Sequence, residues 1–218
     1  MKKVGVILSG CGVRDGSEIH EAVLTLLAIG RSGAKAVCLA PDMEVNEVNH
    51  LTMQETGEKR NVLVEAARIA RGDISDVKDV NAAELDALIL PGGFGAAKNL
   101  CSFAYDGPQG SVQPDVLRLV KEMALAKKPI CAICIAPSVL ALALGRDLAP
   151  QLTIGTDTET AEAINATGSK HVPCPVSEFV VDREHKIVST PAYMLAGSIA
   201  EAAVGIEKAV QETIKLIS

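Results

Sequence analysis

Short apolar runs rich in Val, Ile and Leu recur at residues 4–8, 36–40, 87–90, 130–133 and 187–189, each too short for a helix and bounded by turn residues. Hydrophobicity that is continuous rather than alternating marks strands buried on both faces. Between these runs the apolar positions switch to a helical period over 17–31, 62–71, 114–126, 137–144 and 195–216. Gly33, Gly72 and Gly145 stand where three of the helices should stop, and Pro114 and Pro137 where two should begin. The alternation predicts an α/β fold, a mostly parallel sheet with helices on both faces, whose ligands gather at the carboxyl ends of the strands. Two stretches break the pattern: 42–59 is polar and weakly periodic and reads as an insertion, and 94–113, with Gly107, Pro108 and Gly110, reads as a surface excursion. No linker or internal repeat intervenes, so residues 1–218 are expected to form one domain.

Composition narrows the functional classes. The 218 residues are 48% hydrophobic, enough for a full core, yet include 30 Ala and only five aromatic rings. Aliphatic side chains must fill the core, and recognition by stacking rings on bases or prolines is unexpected. The net charge is −6 and basic residues occur at most in pairs, so no track for nucleic-acid phosphates is expected. The longest apolar stretch, 130–144, is interrupted by Pro137 and Ser138 and falls short of a membrane span. The apolar run after Met1-Lys2-Lys3 is too short for a signal peptide, so the six cysteines read as reduced thiols of a cytoplasmic protein, at least one of them available for chemistry.

The strongest chemical signal is Ala132-Ile133-Cys134-Ile135-Ala136-Pro137, where a buried strand meets a helix start. A sharp strand-to-helix turn exposes its central residue and demands small residues two positions to either side, which Ala132 and Ala136 supply. The helix N-terminus aims N–H groups at the Cys134 sulfur and is expected to lower its pKa. The plainer reading makes Cys134 a small buried hydrophobe. Cys131 completes a C-x-x-C, but residues i and i+3 of a strand point apart, and no second such pair exists to build a zinc site; Cys131 is expected in the core and no metal is expected.

A second signal is Leu90-Pro91-Gly92-Gly93, a strand running into a glycine turn. The Gly93 amide, with that of Ile135, can form an oxyanion hole beside Cys134; alternatively Gly92-Gly93 is only a tight turn. The third follows the first strand. Gly10, Gly12 and Gly16 spell G-x-G-x-x-x-G, one residue longer than the dinucleotide fingerprint, with Asp42 as a candidate ribose-binding acid. Competing with that reading, Glu18 and Glu21 share a helix face and either can send a carboxyl toward Cys134, although Glu18 is better placed to complement the helix N-terminus. His20 falls off their face and reads as a solvated side chain. His171 and Cys174 sit in a Pro-rich loop with no geometric warrant, His50 and His185 lie in polar surroundings, and Tyr193, after the last strand, is a candidate pocket wall. Phe94, Phe103, Tyr105 and Tyr193 all belong to segments expected near the strand carboxyl ends, which predicts that these four rings shape a small pocket over Cys134.

Together the elbow, the Pro91-Gly92-Gly93 turn and Asp15-Gly16-Ser17-Glu18-Ile19-His20-Glu21 resemble the class I glutamine amidotransferase-like superfamily that includes the PfpI proteases and the Parkinsonism-associated deglycase, and within it the ElbB-type group of isoprenoid biosynthesis glyoxalases. The resemblance runs along essentially the whole chain. It implies a flavodoxin-like three-layer sandwich, a homodimer, a Cys134 nucleophile and Glu21 as its acidic partner, with Glu18 not set aside. It also implies a lyase-type conversion of glyoxal to glycolate without a cofactor, reflecting in some relatives the repair of glycated groups. The residue after the nucleophile, often His in relatives, is Ile135, and no late His-x-Glu pair is present, so protease and glutaminase activities are not expected. The rival from another class is a regulatory protein that uses Cys134 as an oxidation sensor.

Overall fold

A computed structural model describes residues 1–217. In its first half, strand β1 (Lys3–Ile7), helix α1 (Ile19–Arg31), β2 (Lys35–Ala40), a hairpin of β3 (Glu44–Asn49) and β4 (Gln54–Asn61), α2 (Val62–Ala70), β5 (Ile74–Asp76) and β6 (Ala87–Leu90) follow one another. Two short helices, α3 (Phe94–Lys98) and α4 (Phe103–Asp106), lead to α5 (Pro114–Leu125), β7 (Ile130–Ile133) and α6 (Pro137–Leu148). The chain ends through β8 (Gln151–Leu152), α7 (Thr158–Ala166), β9 (Lys170–His171), β10 (Val180–Asp182), β11 (Ile187–Thr190) and α8 (Ile199–Lys215).

Seven strands form the central sheet in the order β10-β11-β7-β6-β1-β2-β5, parallel except for the β10 edge. This is the flavodoxin-like sandwich, with all five expected strands in it. Side chains alternate strictly across it. Leu88 and Leu90 of β6 and Ile130 and Ala132 of β7 join the core under α5 and α6. Ala87 and Ile89, and Cys131 and Ile133, join the opposite core under α1 and α8. Both layers are aliphatic, as five rings in the whole chain require, and their burial is the main stabilising term.

Several expectations are corrected. The segment 42–59 is an insertion into the alternation, as expected, but an ordered one: it is largely the β3–β4 hairpin, held antiparallel outside the main sheet. Its outward-facing polar residues hide the strand pattern. The segment 94–113 is no surface excursion, since Ala96, Ala97, Leu100, Cys101 and Phe103 are buried in the α5–α6 core. Helix α1 begins at Ile19 rather than Ser17, because the buried Ser17 hydroxyl accepts the Ser9 amide and Glu18 takes the cap. Gly145 does not end α6; a Cβ there would lie 2.7 Å from Thr167 O, so the glycine serves close packing inside the helix. The last helix starts at Ile199, capped by Ser198, after a single turn at Ala192–Met194.

Among the described residues no helix is long and apolar enough to cross a membrane, and no group of three or more His, Cys, Asp or Glu is placed to hold a metal ion.

Candidate active site

Cys134 follows β7 with φ of 62°, a left-handed conformation that few side-chain-bearing residues adopt. The Cys134 amide donates to Thr190 O at 2.9 Å and Ala136 N to Ile133 O at 3.0 Å, which locks the turn and leads directly into α6. Ala136 provides no side-chain cap, and the first amides of α6 are taken up by the backbone, Ser138 N donating to Ile135 O and Val139 N to Ala136 O, both at 3.0 Å. Cys134 is 7% exposed.

Three groups converge on the thiol. The amides of Gly93 and Ile135 and the Glu21 carboxyl all lie beside the sulfur and act on its ionisation. Gly93 has φ of 96°, and its peptide lies so close to α1 that a side chain would strike the Glu18 amide. Gly92 is equally constrained, since a Cβ would run into the Cys134 Cβ and lie 2.6 Å from Glu21 Oε2. These glycines are therefore more than a tight turn. They let three chain segments meet at one atom.

Glu21 is wholly buried, with Oε2 accepting the Gly92 amide at 3.0 Å and Oε1 the Tyr193 amide at 3.1 Å. Both oxygens are thus fixed by backbone donors from two loops. Burial pushes the carboxyl up to about 7, against those hydrogen bonds. The thiol is also pushed up, by burial first and then by the Glu21 charge, with the Gly93 and Ile135 amides pulling it down. The expected lowering by the helix N-terminus is overridden, because burial first, and then the carboxyl alongside, outweigh a partial helix charge. Glu18 turns out to be the N-cap of α1, its Oε2 accepting the Glu21 amide at 2.7 Å.

The site opens into a cavity of about 420 Å³. Gly93, Cys134 and Ile135 form one part of its lining; Val13, Phe94, Tyr193 and Met194 form apolar walls, and Glu18, Asp157 and Thr160 polar ones. Two of the four rings expected here are absent: Phe103 is buried in the α5–α6 core and Tyr105 is 69% exposed over a separate cavity. His20 is exposed as expected, but its Nδ1 lies 2.8 Å from the Tyr193 hydroxyl, which places it at the rim. His171, beside the Ile154 amide, and the buried Cys174 lie outside the cavity lining. Asp157 and Thr160 went unnoticed in the sequence, although Asp157-Thr158-Glu159-Thr160 reads as a helix start; nothing local shows that α7 begins beside the elbow.

The Gly10–Gly16 loop has another use than holding phosphate. Gly12 N donates to Ser17 O and Gly16 N to Gly12 O, while a side chain on Gly16 would strike the Cys11 amide. Asp42 accepts from Asn61. Cys131 is core, its thiol beside Thr213 and pushed up to about 12 by burial, and all six cysteines are free.

The model of the DJ-1/PfpI family matches residues 13–147. The human glutamine amidotransferase-like class 1 domain-containing protein 3, mitochondrial, is 44% identical over 225 aligned residues, covering 98% of this chain and 83% of that protein. The ES1 protein, mitochondrial, of Danio rerio is 32% identical, covering 88% of this chain and 76% of its own length. Among solved structures, an isoprenoid biosynthesis protein with amidotransferase-like domain from Ehrlichia chaffeensis superposes with a TM-score of 0.94 at 37% identity, both chains covered in full. A ThiJ/PfpI domain protein from Brachyspira murdochii, 14% identical with a TM-score of 0.60 over 100% of this chain and 98% of its own, shares the fold.

Proposed function

This chain belongs to the DJ-1/PfpI family, and on that premise we propose that it is a cofactor-independent glyoxalase that converts glyoxal to glycolate through Cys134. The observation that carries the reading is the convergence on one sulfur of two backbone amides and a buried carboxyl poised near neutrality, open to a cavity. A carboxyl held near 7 is suited to taking a proton and giving it back at working pH.

In this mechanism Glu21 takes the thiol proton as the sulfur adds to one aldehyde carbon, and the amides of Gly93 and Ile135 hold the oxygen of the resulting hemithioacetal. Glu21 returns that proton to the hemithioacetal oxygen and, ionised again, moves the proton on that carbon to its neighbour through an enediol. One carbon is oxidised to a thioester and the other reduced to an alcohol, with no external electron carrier. Water cleaves the thioester, releasing glycolate and the thiol. Tyr193, whose amide orients Glu21, contributes the cavity wall over the reacting carbons.

Replacing Cys134 with Ser is expected to abolish glyoxal turnover followed as glycolate formation, and Glu21→Gln to lower kcat about 100-fold or more. Wild-type rates in Cys134→Ser would sink the assignment. Stoichiometric peroxide oxidation of Cys134 without measurable turnover would favour the sensor instead.

Two further parts of the reading are proposals. The cytoplasmic address rests on the free cysteines; the human and Danio rerio relatives carry mitochondrial in their names. For the homodimer, the candidate surface is the exposed stripe of Ile19, Val23 and Leu27 along α1, at 43%, 50% and 45% exposure. Val23→Glu should then halve the mass measured by light scattering, and an unchanged dimer would remove this surface.

A further inference from the structure

Two carboxylates stand in the wall of the Cys134 cavity, and each is fixed there by capping a helix. Glu18 accepts the Glu21 amide at 2.7 Å at the start of α1, and Asp157 accepts the Thr160 amide at 2.8 Å at the start of α7. Hydrogen bonds from the Thr160 side chain and amide hold the Asp157 carboxyl below its usual range, so it stays ionised. Among the described residues no Lys or Arg lines this cavity. Arg14 and Lys98 rest against the Phe94 ring, each 5.5 Å from its centroid, and line separate cavities. At Cys134 itself the Glu21 carboxyl stands beside the two amides, and burial and that carboxyl together push the thiol up. Negative charge brought in by a ligand is therefore opposed along the wall, and among the described residues the amides of Gly93 and Ile135 are the only donors set against it at the sulfur.

Resting on the reading above, we propose that Glu18 and Asp157 set the substrate class: neutral or cationic carbonyl compounds reach Cys134, and anionic ones such as 2-oxo acids are turned away. The same wall acts on the product. A neutral dicarbonyl enters, and the hydroxy acid formed from it leaves as an anion repelled by both carboxylates. Each helix N-terminus carries about half a positive charge, which offsets part of its cap and keeps the effect modest. A discrimination of about two- to three-fold per carboxylate is expected for a charge ~8 Å away in a water-like medium.

The test needs no turnover. Iodoacetamide and iodoacetate alkylate a thiolate by the same displacement, a sulfur–carbon bond forming as iodide leaves, and differ in charge. The ratio of their rates at Cys134, read by peptide mass mapping and divided by the same ratio for N-acetylcysteine amide, cancels the thiolate fraction and isolates the surroundings. A normalised ratio of about 5 or more is expected in the native protein, falling about two- to three-fold in Asp157→Asn and again in Glu18→Gln, and toward 1 in roughly 1 M salt. Asn caps a helix as well as Asp does, so the first variant removes charge and keeps the helix start. A normalised ratio near 1 in the native protein, or one that neither variant changes, overturns the proposal. The two readings fail separately. A charge-dependent ratio without glyoxal turnover overturns the glyoxalase and leaves the wall, whereas glyoxal turnover with a normalised ratio near 1 overturns the wall and leaves the glyoxalase.

Discussion

Two glycine-rich regions meet at the carboxyl ends of the central strands, and they use their glycines differently. Around Gly92 and Gly93, close backbone approach brings amides and the Glu21 carboxyl onto a sulfur that opens to a cavity. Around Gly10, Gly12 and Gly16, the same closeness lets the protein satisfy itself. Asp15 Oδ2 accepts the Val48 amide at 2.7 Å, Asn99 donates to both Ser9 O and Asp15 O at 2.8 Å, and His50 from the hairpin accepts the Arg14 amide at 3.2 Å. Glycine spacing alone does not separate a reactive turn from a structural one. What separates them is whether the groups brought close are already consumed by one another.

The sharpest way to break this comparison is to add one methyl group to each region. Gly92→Ala places a Cβ against Cys134 and Glu21, so turnover should fall at least about 100-fold, with a stability loss of roughly 1–3 kcal/mol. Gly16→Ala places its Cβ against the Cys11 amide and the Gly10 backbone, so the order reverses. Unfolding in urea should show the loss of roughly 1–3 kcal/mol or more, while turnover per folded molecule stays within several-fold. If Gly16→Ala lost turnover at native stability, the loop would belong to the chemistry.

The contrast also explains what was legible in the sequence. Cys134 was readable because the elbow writes its constraint locally: small residues at 132 and 136, a strand before and a proline after. Ile135 follows from the same local geometry, and Gly93 from the glycine turn that ends β6. Glu21 needed the family resemblance, because helical spacing puts Glu18 on the same face and only the tertiary packing shows that one is a cap and the other wholly buried. Asp157 and Thr160 arrive from a helix more than twenty residues after the elbow, and no local pattern encodes that approach. The hairpin was missed for a physical reason: with both faces largely solvated, β4 has no apolar alternation to read.

A second, smaller effect separates the regions by their charge. The Glu21 carboxyl has its folded pKa raised from 4.5 to about 7, so its contribution to stability is fully present below pH 4.5 and is lost as pH rises through about 7. Glu21→Gln removes that dependence. Relative to the native protein the variant should therefore gain stability between pH 4.5 and 7, by up to roughly 3 kcal/mol, in urea unfolding at a series of pH values. A flat difference across that window would mean that Glu21 is ionised throughout and does not hold a proton near neutrality.

The smallest expected effect concerns His50, which ties the hairpin to the loop. Its Nε2 accepts the Arg14 amide and its Nδ1 donates to Val48 O at 2.9 Å, an assignment that uses the neutral ring. The ring also sits so close to the loop that a Cβ on Gly12 would lie 2.6 Å from Nε2, which accounts for glycine there at φ of 135°. His50→Gln gives up these contacts, but the Arg14 amide is exposed and water can replace the lost acceptor, so the cost should be about 0.5–1 kcal/mol. Val13, one residue before Arg14, lines the Cys134 cavity and is held separately, its carbonyl accepting the Phe94 amide at 2.8 Å. Turnover should accordingly remain within about two-fold of native, since a shift in the active geometry would cost far more. A tenfold fall in kcat with little change in stability would show that the hairpin reaches the chemistry through Val13, and the division between a self-satisfied loop and a reactive elbow would no longer hold.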